Sequence, residues 1–266
     1  MAIVTRDGLV AALTSAQRFQ LNKASVANMA AGNVCSLWGS AGFPAAGANP
    51  ATGAGAAPDR TTLGAIPFSA IAGGSTAYLA RVAGAIGVAG SLLVYDRLVH
   101  TSGLSGTTAS PTAQTVNTTP LTRYTSGAGV ECWLEWYTDT GATAVTATVS
   151  YTNQNGTPGQ SGTCSLAATR RARTMLQVTL AAGDTGVRSV ESVTLSASTL
   201  TAGNFGVTLL KRHSMLGFPI VNVSFEADYA RLAAPEINPS ACLALAVLCS
   251  TTTSGLLLGE LSLMAG

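Results

Sequence analysis

Residues 143–152 read TAVTATVSYT, so that Val145, Ala147, Val149 and Tyr151 alternate with Thr146, Thr148, Ser150 and Thr152. A period of two puts the apolar row on one face and the hydroxyl row on the other, which is the pattern of a half-buried strand. Asn155-Gly156 and Thr157-Pro158-Gly159 follow at once as turn residues. The same texture continues outward in both directions. Residues 90–100 (GSLLVYDRLVH) are rich in β-branched and aromatic side chains. Further strand candidates are Val130–Tyr137, Met175–Leu180, Ser189–Ser196, Gly206–Arg212, Val221–Tyr229, Cys242–Cys249 and Leu256–Met264. Strands that recur this often without helices between them predict a mainly β chain, an antiparallel β-sandwich or jelly roll.

Upstream the pattern changes. Val10, Leu13 and Phe19–Leu21 recur at spacings of three and four, Asp7 can serve the first turn, and Gly32 stops the run, which predicts an N-terminal helix within residues 4–31. Residues 39–60 (GSAGFPAAGANPATGAGAAPDR) read as an extended arm with no core of its own. The expected organisation is therefore 1–60, helix and Pro/Gly/Ala-rich arm, followed by a β body at 61–266. Residues 101–123 form a long Thr-rich connection inside that body.

Composition narrows the function. The 266 residues carry a formal net charge of +2, and charged side chains make up 10% of the chain, against about a quarter in an average protein. Ala, Gly, Ser and Thr together supply 132 positions. With only Lys23 and Lys211 as lysines, the chain has no strong basic field, so neither nucleic acid nor membrane is an expected partner. The start carries Arg6 and Asp7 before any apolar run, unlike a secretory signal, and the expected place of synthesis is the cytosol. Five cysteines, Cys35, Cys132, Cys164, Cys242 and Cys249, have no CxxC spacing and read as reduced, buried thiols.

Candidate chemistry is sparse. Glu131 and Glu135 flank Trp133, but on a strand they lie roughly 13 Å apart, beyond the separations that glycoside hydrolysis uses. Alternation groups Val130, Cys132, Leu134 and Trp136 on one side and Glu131, Trp133, Glu135 and Tyr137 on the other. Trp133 and Tyr137 could form a sugar-stacking platform or the centre of a protein contact. Arg170, Arg171 and Arg173 are the one dense positive patch and suit a carboxylate-bearing protein interface. His100 and His213 are the only histidines and sit at predicted strand ends. Cys164 has only Arg170 and Arg171 near it in sequence to activate it. Gly53-Ala54-Gly55 lacks the third glycine of a dinucleotide loop, and no metal-ligand spacing occurs. No enzyme activity, cofactor or metal is expected, and the sequons at Asn117, Asn155 and Asn222 carry no weight without secretion.

One resemblance goes further. Residues 229–266 (YARLAAPEINPSACLALAVLCSTTTSGLLLGELSLMAG) run from a polar turn at Pro235–Pro239 through the apolar Ala241–Leu245 and a Ser/Thr/Gly loop at Ser250–Gly255 to a last strand, Leu256–Gly266. This pattern, after a long Ala/Gly/Thr-rich β region, resembles structural proteins of tailed bacteriophages that accompany the major capsid protein in the head. The resemblance implies a non-catalytic virion protein, a head decoration or cement subunit on the capsid surface, partnered by the major capsid protein and by its own copies. The shell or tail-tube subunit is another virion role of the same class. The competing expectation, from the residues, is a carbohydrate-binding β-sandwich using Trp133 and Tyr137, with a glycan as partner.

Overall fold

In the computed structural model, residues 3–53, 55–69, 71, 75–116, 118–201 and 203–266 are described. Asn117 of the first sequon and Ala54 of the Gly-Ala-Gly stretch lie outside them. The chain order begins α1 (Arg6–Thr14), β1 (Gln17–Lys23), β2 (Val34–Ser36), β3 (Gly42–Phe43), β4 (Ala77–Ile86), β5 (Gly90–His100), β6 (Leu104–Ser105) and β7 (Gln114–Thr115). It continues through β8 (Glu131–Trp136), β9 (Val145–Asn153), β10 (Gln160–Leu166), β11 (Thr174–Gln177), β12 (Val187–Leu195) and β13 (Asn204–Phe218). Last come β14 (Phe225–Asp228), α2 (Tyr229–Leu232), β15 (Glu236–Ile237), β16 (Leu243–Cys249) and β17 (Leu257–Ala265).

The mainly β, antiparallel reading holds: every pairing between these strands is antiparallel. The pairings make three sheets rather than the two of a sandwich. One runs β14-β4-β17-β1-β3, with β15 also on β4; a second runs β10-β9-β12-β7. The third runs β5-β16-β2-β11-β8-β13, and a further pairing of β13 with β5 closes it into a six-stranded barrel.

Burial explains the stacking. Leu21, Leu79, Val82 and Leu261 of the first sheet pack on Leu92, Val94, Leu245 and Val247 of the barrel. Val149, Tyr151, Val190 and Val193 of the second sheet pack on Leu134, Trp136, Val207 and Leu209, on the opposite barrel wall. All six barrel strands then point a second row inward, among them Leu93, Tyr95, Trp133, Met175, Leu210, Ala244 and Val34. Barrel strands are thus buried on both sides, which is why β5 and β16 read as unbroken apolar runs while β9 alternates. Both alternating rows of β8, the Glu131/Trp133/Glu135 row included, therefore lie in protein.

Three expectations for the N-terminal third are also corrected. The helix covers only Arg6–Thr14, capped by the Thr5 hydroxyl, which accepts from Gly8 N at 3.0 Å. After it, Leu21 and Lys23 are buried while Gln20 and Asn22 are exposed, so a period of two governs and β1 pairs with β17. Residues 1–60 are not a separate unit, because β1 and β2 belong to different sheets of the body. Nor is 39–60 a free arm. The Lys23 ammonium, 1% exposed, donates to Ser40 O and Pro44 O, both at 2.8 Å, and Trp38 Nε1 donates to Ala48 O at 2.8 Å. Ser102 Oγ donates to Pro50 O, Ala56 bridges His100, and Arg123 reaches Pro58 O. Those backbone carbonyls satisfy buried donors, which ties the segment down despite its composition. Gly42 is needed there: at φ +119 a Cβ would lie 1.7 Å from Asn22 O.

Candidate functional site

The barrel presents the molecule's densest polar chemistry at its two ends. At one end it is closed. Arg97 of β5 and Glu135 of β8 meet at 2.6 Å with side chains 0% and 3% exposed. Thr208 donates to the same Glu135 oxygen at 2.8 Å. Arg97 Nε donates to His100 Nδ1 at 2.9 Å, and its guanidinium lies 4.8 Å from the Trp38 ring centre. Burial pushes His100 down to about 3, with the Arg97 charge adding to the effect, so the ring is neutral and free to accept. Burial works to raise the Glu135 carboxyl, but Arg97 outweighs it and holds the group below the ordinary carboxylate value.

The adjacent residue, Asp96, points to the other side of β5 and makes a second buried pair. Arg123 grips it through Nε at 2.9 Å and Nη2 at 2.7 Å, and Cys242 N donates to it at 2.8 Å. Arg123 also bonds Arg97 O at 3.1 Å. The two pairs lock the closed end to residues 50–58.

The other end is open. Glu131, four residues before Glu135 on the same wall, pairs with Arg212 of β13 at 2.9 Å, with side chains 22% and 33% exposed. The same carboxylate oxygen accepts from Trp133 Nε1 at 2.9 Å. Beside this pair lies a cavity of about 470 Å³, floored by Leu93, Trp133 and Met175 and rimmed by Asn33, Arg212 and Met215. Barrel mouths are common ligand sites, and this volume is within the usual range. A neighbouring hollow of about 510 Å³ shares Gln177 and Thr179 with it and is lined by Glu131, Asp184 and Thr185.

The residues singled out in the sequence fall as follows. Trp133 is in the barrel interior and 4% exposed, whereas Tyr137 sits at the closed end and donates to Thr101 O at 3.0 Å. The two rings therefore form no common exposed platform. Arg170, Arg171 and Arg173 also part company. Arg171 pairs with the chain's own Asp139, and Arg173 donates to Ser40 at 2.7 Å in the 39–60 segment. Only Arg170 keeps a guanidinium with no protein partner among the described residues. His213 is largely buried on β13, and burial, helped by Lys211, pushes it down to about 4. All five cysteines are buried and free, and burial raises Cys164 to about 12, which leaves it without nucleophile character.

Sequence reasoning missed Asn33, Asp96, Arg97, Arg123 and Arg212. A signal for Asp96 and Arg97 was present: two adjacent charges inside the apolar run SLLVYDRLVH must be buried, and buried charges require partners. Among the described residues, no group of three or more His, Cys, Asp or Glu side chains is gathered as a metal would need. No described helix is long and apolar enough to cross a membrane. The chain matches no protein-family model, no curated protein and no solved structure.

Proposed function

We propose that this chain is a non-enzymatic structural subunit of a tailed-phage head, docking on the major capsid protein as a decoration or cement protein. The observation that carries the reading is an exposed apolar band in the first sheet, where the end of β4 meets the start of β17 and the segment before β14. Ile220, Val221, Val223, Leu256 and Leu258 are each 46–59% exposed. They are neighbours: Asn222 N donates to Ile86 O at 3.0 Å, Gly87 N to Leu256 O at 2.9 Å, and Leu258 stands opposite Ala85. A contiguous exposed apolar surface marks an interaction site, and a weakly charged surface around it favours association over repulsion.

The test is co-purification with assembled particles. The wild-type chain is expected at a fixed, shell-wide copy number. The double variant Val221→Lys/Leu258→Lys, whose side chains are already half in water, is expected to fold and to be lost from the particles. Retention of that variant at full copy number, or a chain that never accompanies a capsid, would sink the reading.

A further inference from the structure

The five cysteines fall into three interiors. Cys35 and Cys249 lie in the core between the first sheet and the barrel, Cys132 and Cys164 in the core between the second sheet and the barrel, and Cys242 inside the barrel itself. The first two meet. Cys35 of β2 stands opposite Val247 of β16, so Cys249 is its diagonal neighbour on the same face. The backbone fixes that placement, since Cys249 N donates to Asn33 O at 2.9 Å and Gly32 N donates to Cys249 O at 2.7 Å. Thiol to thiol, the two side chains share a hydrogen bond. We infer that Cys35 and Cys249 are a disulfide-forming pair, joined when the chain meets a small-molecule disulfide, and that the bond staples β2 to β16 independently of the shell contact.

Both reacting groups belong to the chain, so the folded site needs no occupant. Cys35 and Cys249 are 0% and 1% exposed, and exchange proceeds while the chain folds or when this strand end opens. The shared hydrogen bond and burial push the Cys35 thiol up, whereas the same bond brings Cys249 down. Cys249 is therefore the attacking thiolate. Its sulfur bonds one sulfur of the small disulfide and releases the first thiolate; the Cys35 sulfur, losing its proton, then bonds Cys249 and releases the second. Two cysteine thiols are oxidised, one disulfide is reduced, and the two released thiolates take up the two protons. Diagonal Cα atoms lie about 7 Å apart, the far limit for a disulfide, so β2 must shift slightly. It has room: β2 is three residues long, and a Cβ built on Gly32, two residues before it, would have no neighbour within 4 Å.

Refolding of the full chain from denaturant, with glutathione disulfide or with reduced glutathione alone, tests the inference. After oxidative refolding, maleimide labelling under denaturing conditions is expected to fall from five thiols to three, and non-reducing peptide mapping to join the Cys35 and Cys249 peptides. The bond closes a loop over positions 35–249, most of the chain, and loop-closure entropy is lost from the unfolded state. The thermal midpoint is expected to rise by about 10 °C over the reduced form and to return on adding dithiothreitol. Cys35→Ala and Cys249→Ala are each expected to stay at the midpoint of their own reduced form, whereas Cys242→Ala keeps the rise. The wild-type peptide map decides the pairing even where an alanine variant fails to fold. Five free thiols after oxidative refolding overturn the inference. So does a map joining Cys132 to Cys164 in place of this pair, or a Cys35–Cys249 bond that leaves the midpoint unmoved.

Discussion

The two ends of the barrel each hold a glutamate–arginine pair, and both glutamates come from the same strand. Glu131 and Glu135 both belong to β8 and both point inward; Glu131 meets Arg212 of the adjacent β13 and Glu135 meets Arg97 of β5, one strand further round, yet the first pair is a fifth to a third exposed and the second is sealed. The difference lies in what closes over them. Trp38 and His100 stand against Arg97 at the sealed end, where Glu135 is 3% exposed, whereas Glu131 keeps 22% of its side chain exposed. An ion pair in low dielectric leans on further hydrogen bonds, and at the sealed end Thr208 donates to Glu135 while His100 accepts from Arg97 Nε. Arg97 Nη1 there and Arg212 Nε at the open end both lack a hydrogen-bond partner among the described residues, so satisfaction does not separate the two pairs. Pairing geometry does not separate the two pairs; solvation does.

The largest way to break the comparison is to remove one partner at the sealed end. Arg97→Met is expected to cost about 3–5 kcal/mol, because Glu135 is left charged and buried. Denaturant unfolding followed by near-ultraviolet circular dichroism reads this directly. Arg97→Met combined with Glu135→Leu is expected to regain most of the loss, since apolar replacement of a buried pair is often neutral or better. A double variant as unstable as the single would mean that the pair itself, and not the orphaned charge, supplies the stability.

Acid sharpens the contrast next. The folded His100 titrates at about 3 against an ordinary 6.5. Between those values the unfolded chain binds more protons than the folded one, so stability rises with pH through this window and is lost as pH falls from 6.5 toward 3. His213, at about 4, acts in the same direction, and the lowered Glu135 joins below the ordinary carboxylate value. The expected slope is at most about 1.4 kcal/mol per pH unit for each group. His100→Gln keeps an acceptor for Arg97 Nε and is expected to flatten one histidine's share of the slope. An unchanged slope in that variant would mean that His100 is protonated in the fold.

How far the chain could be read in advance follows the same division between one buried face and two. Strand β9 was legible because its outer face is wet, and alternation is the signature of one wet face. Strands β5 and β16 were legible as apolar runs, but their closure into a barrel was not. The closing contacts pair β13 with β5, from Thr208 opposite His100 to Phe218 opposite Gly90, and no local pattern encodes pairing across so much chain. The helix was overextended into β1 because Phe19, Leu21 and Lys23 suit either period until Lys23 is known to be buried. Residues 39–60 read as an arm because, apart from Phe43, their apolar side chains are only alanine and proline; what anchors the segment is backbone oxygen, which every sequence carries. Trp133 was found by its type, whereas Asn33 and Arg212 acquire meaning only from the cavity they share with it.

The smallest expected effect belongs to the open end. Arg212→Met removes the partner of Glu131, yet water reaches that carboxylate, and Trp133 Nε1 still donates to it at 2.9 Å. A partly exposed pair contributes about 0–1 kcal/mol, and the methionine retains much of the aliphatic stem. The variant is therefore expected to unfold within about 1 kcal/mol of the wild type under the conditions that cripple Arg97→Met. Added salt should narrow even that gap, because screening acts on exposed pairs and hardly on sealed ones. Equal losses from Arg97→Met and Arg212→Met would show that the mouth is as dry as the closed end, and with that the distinction between a sealed and an open end of the barrel would fall.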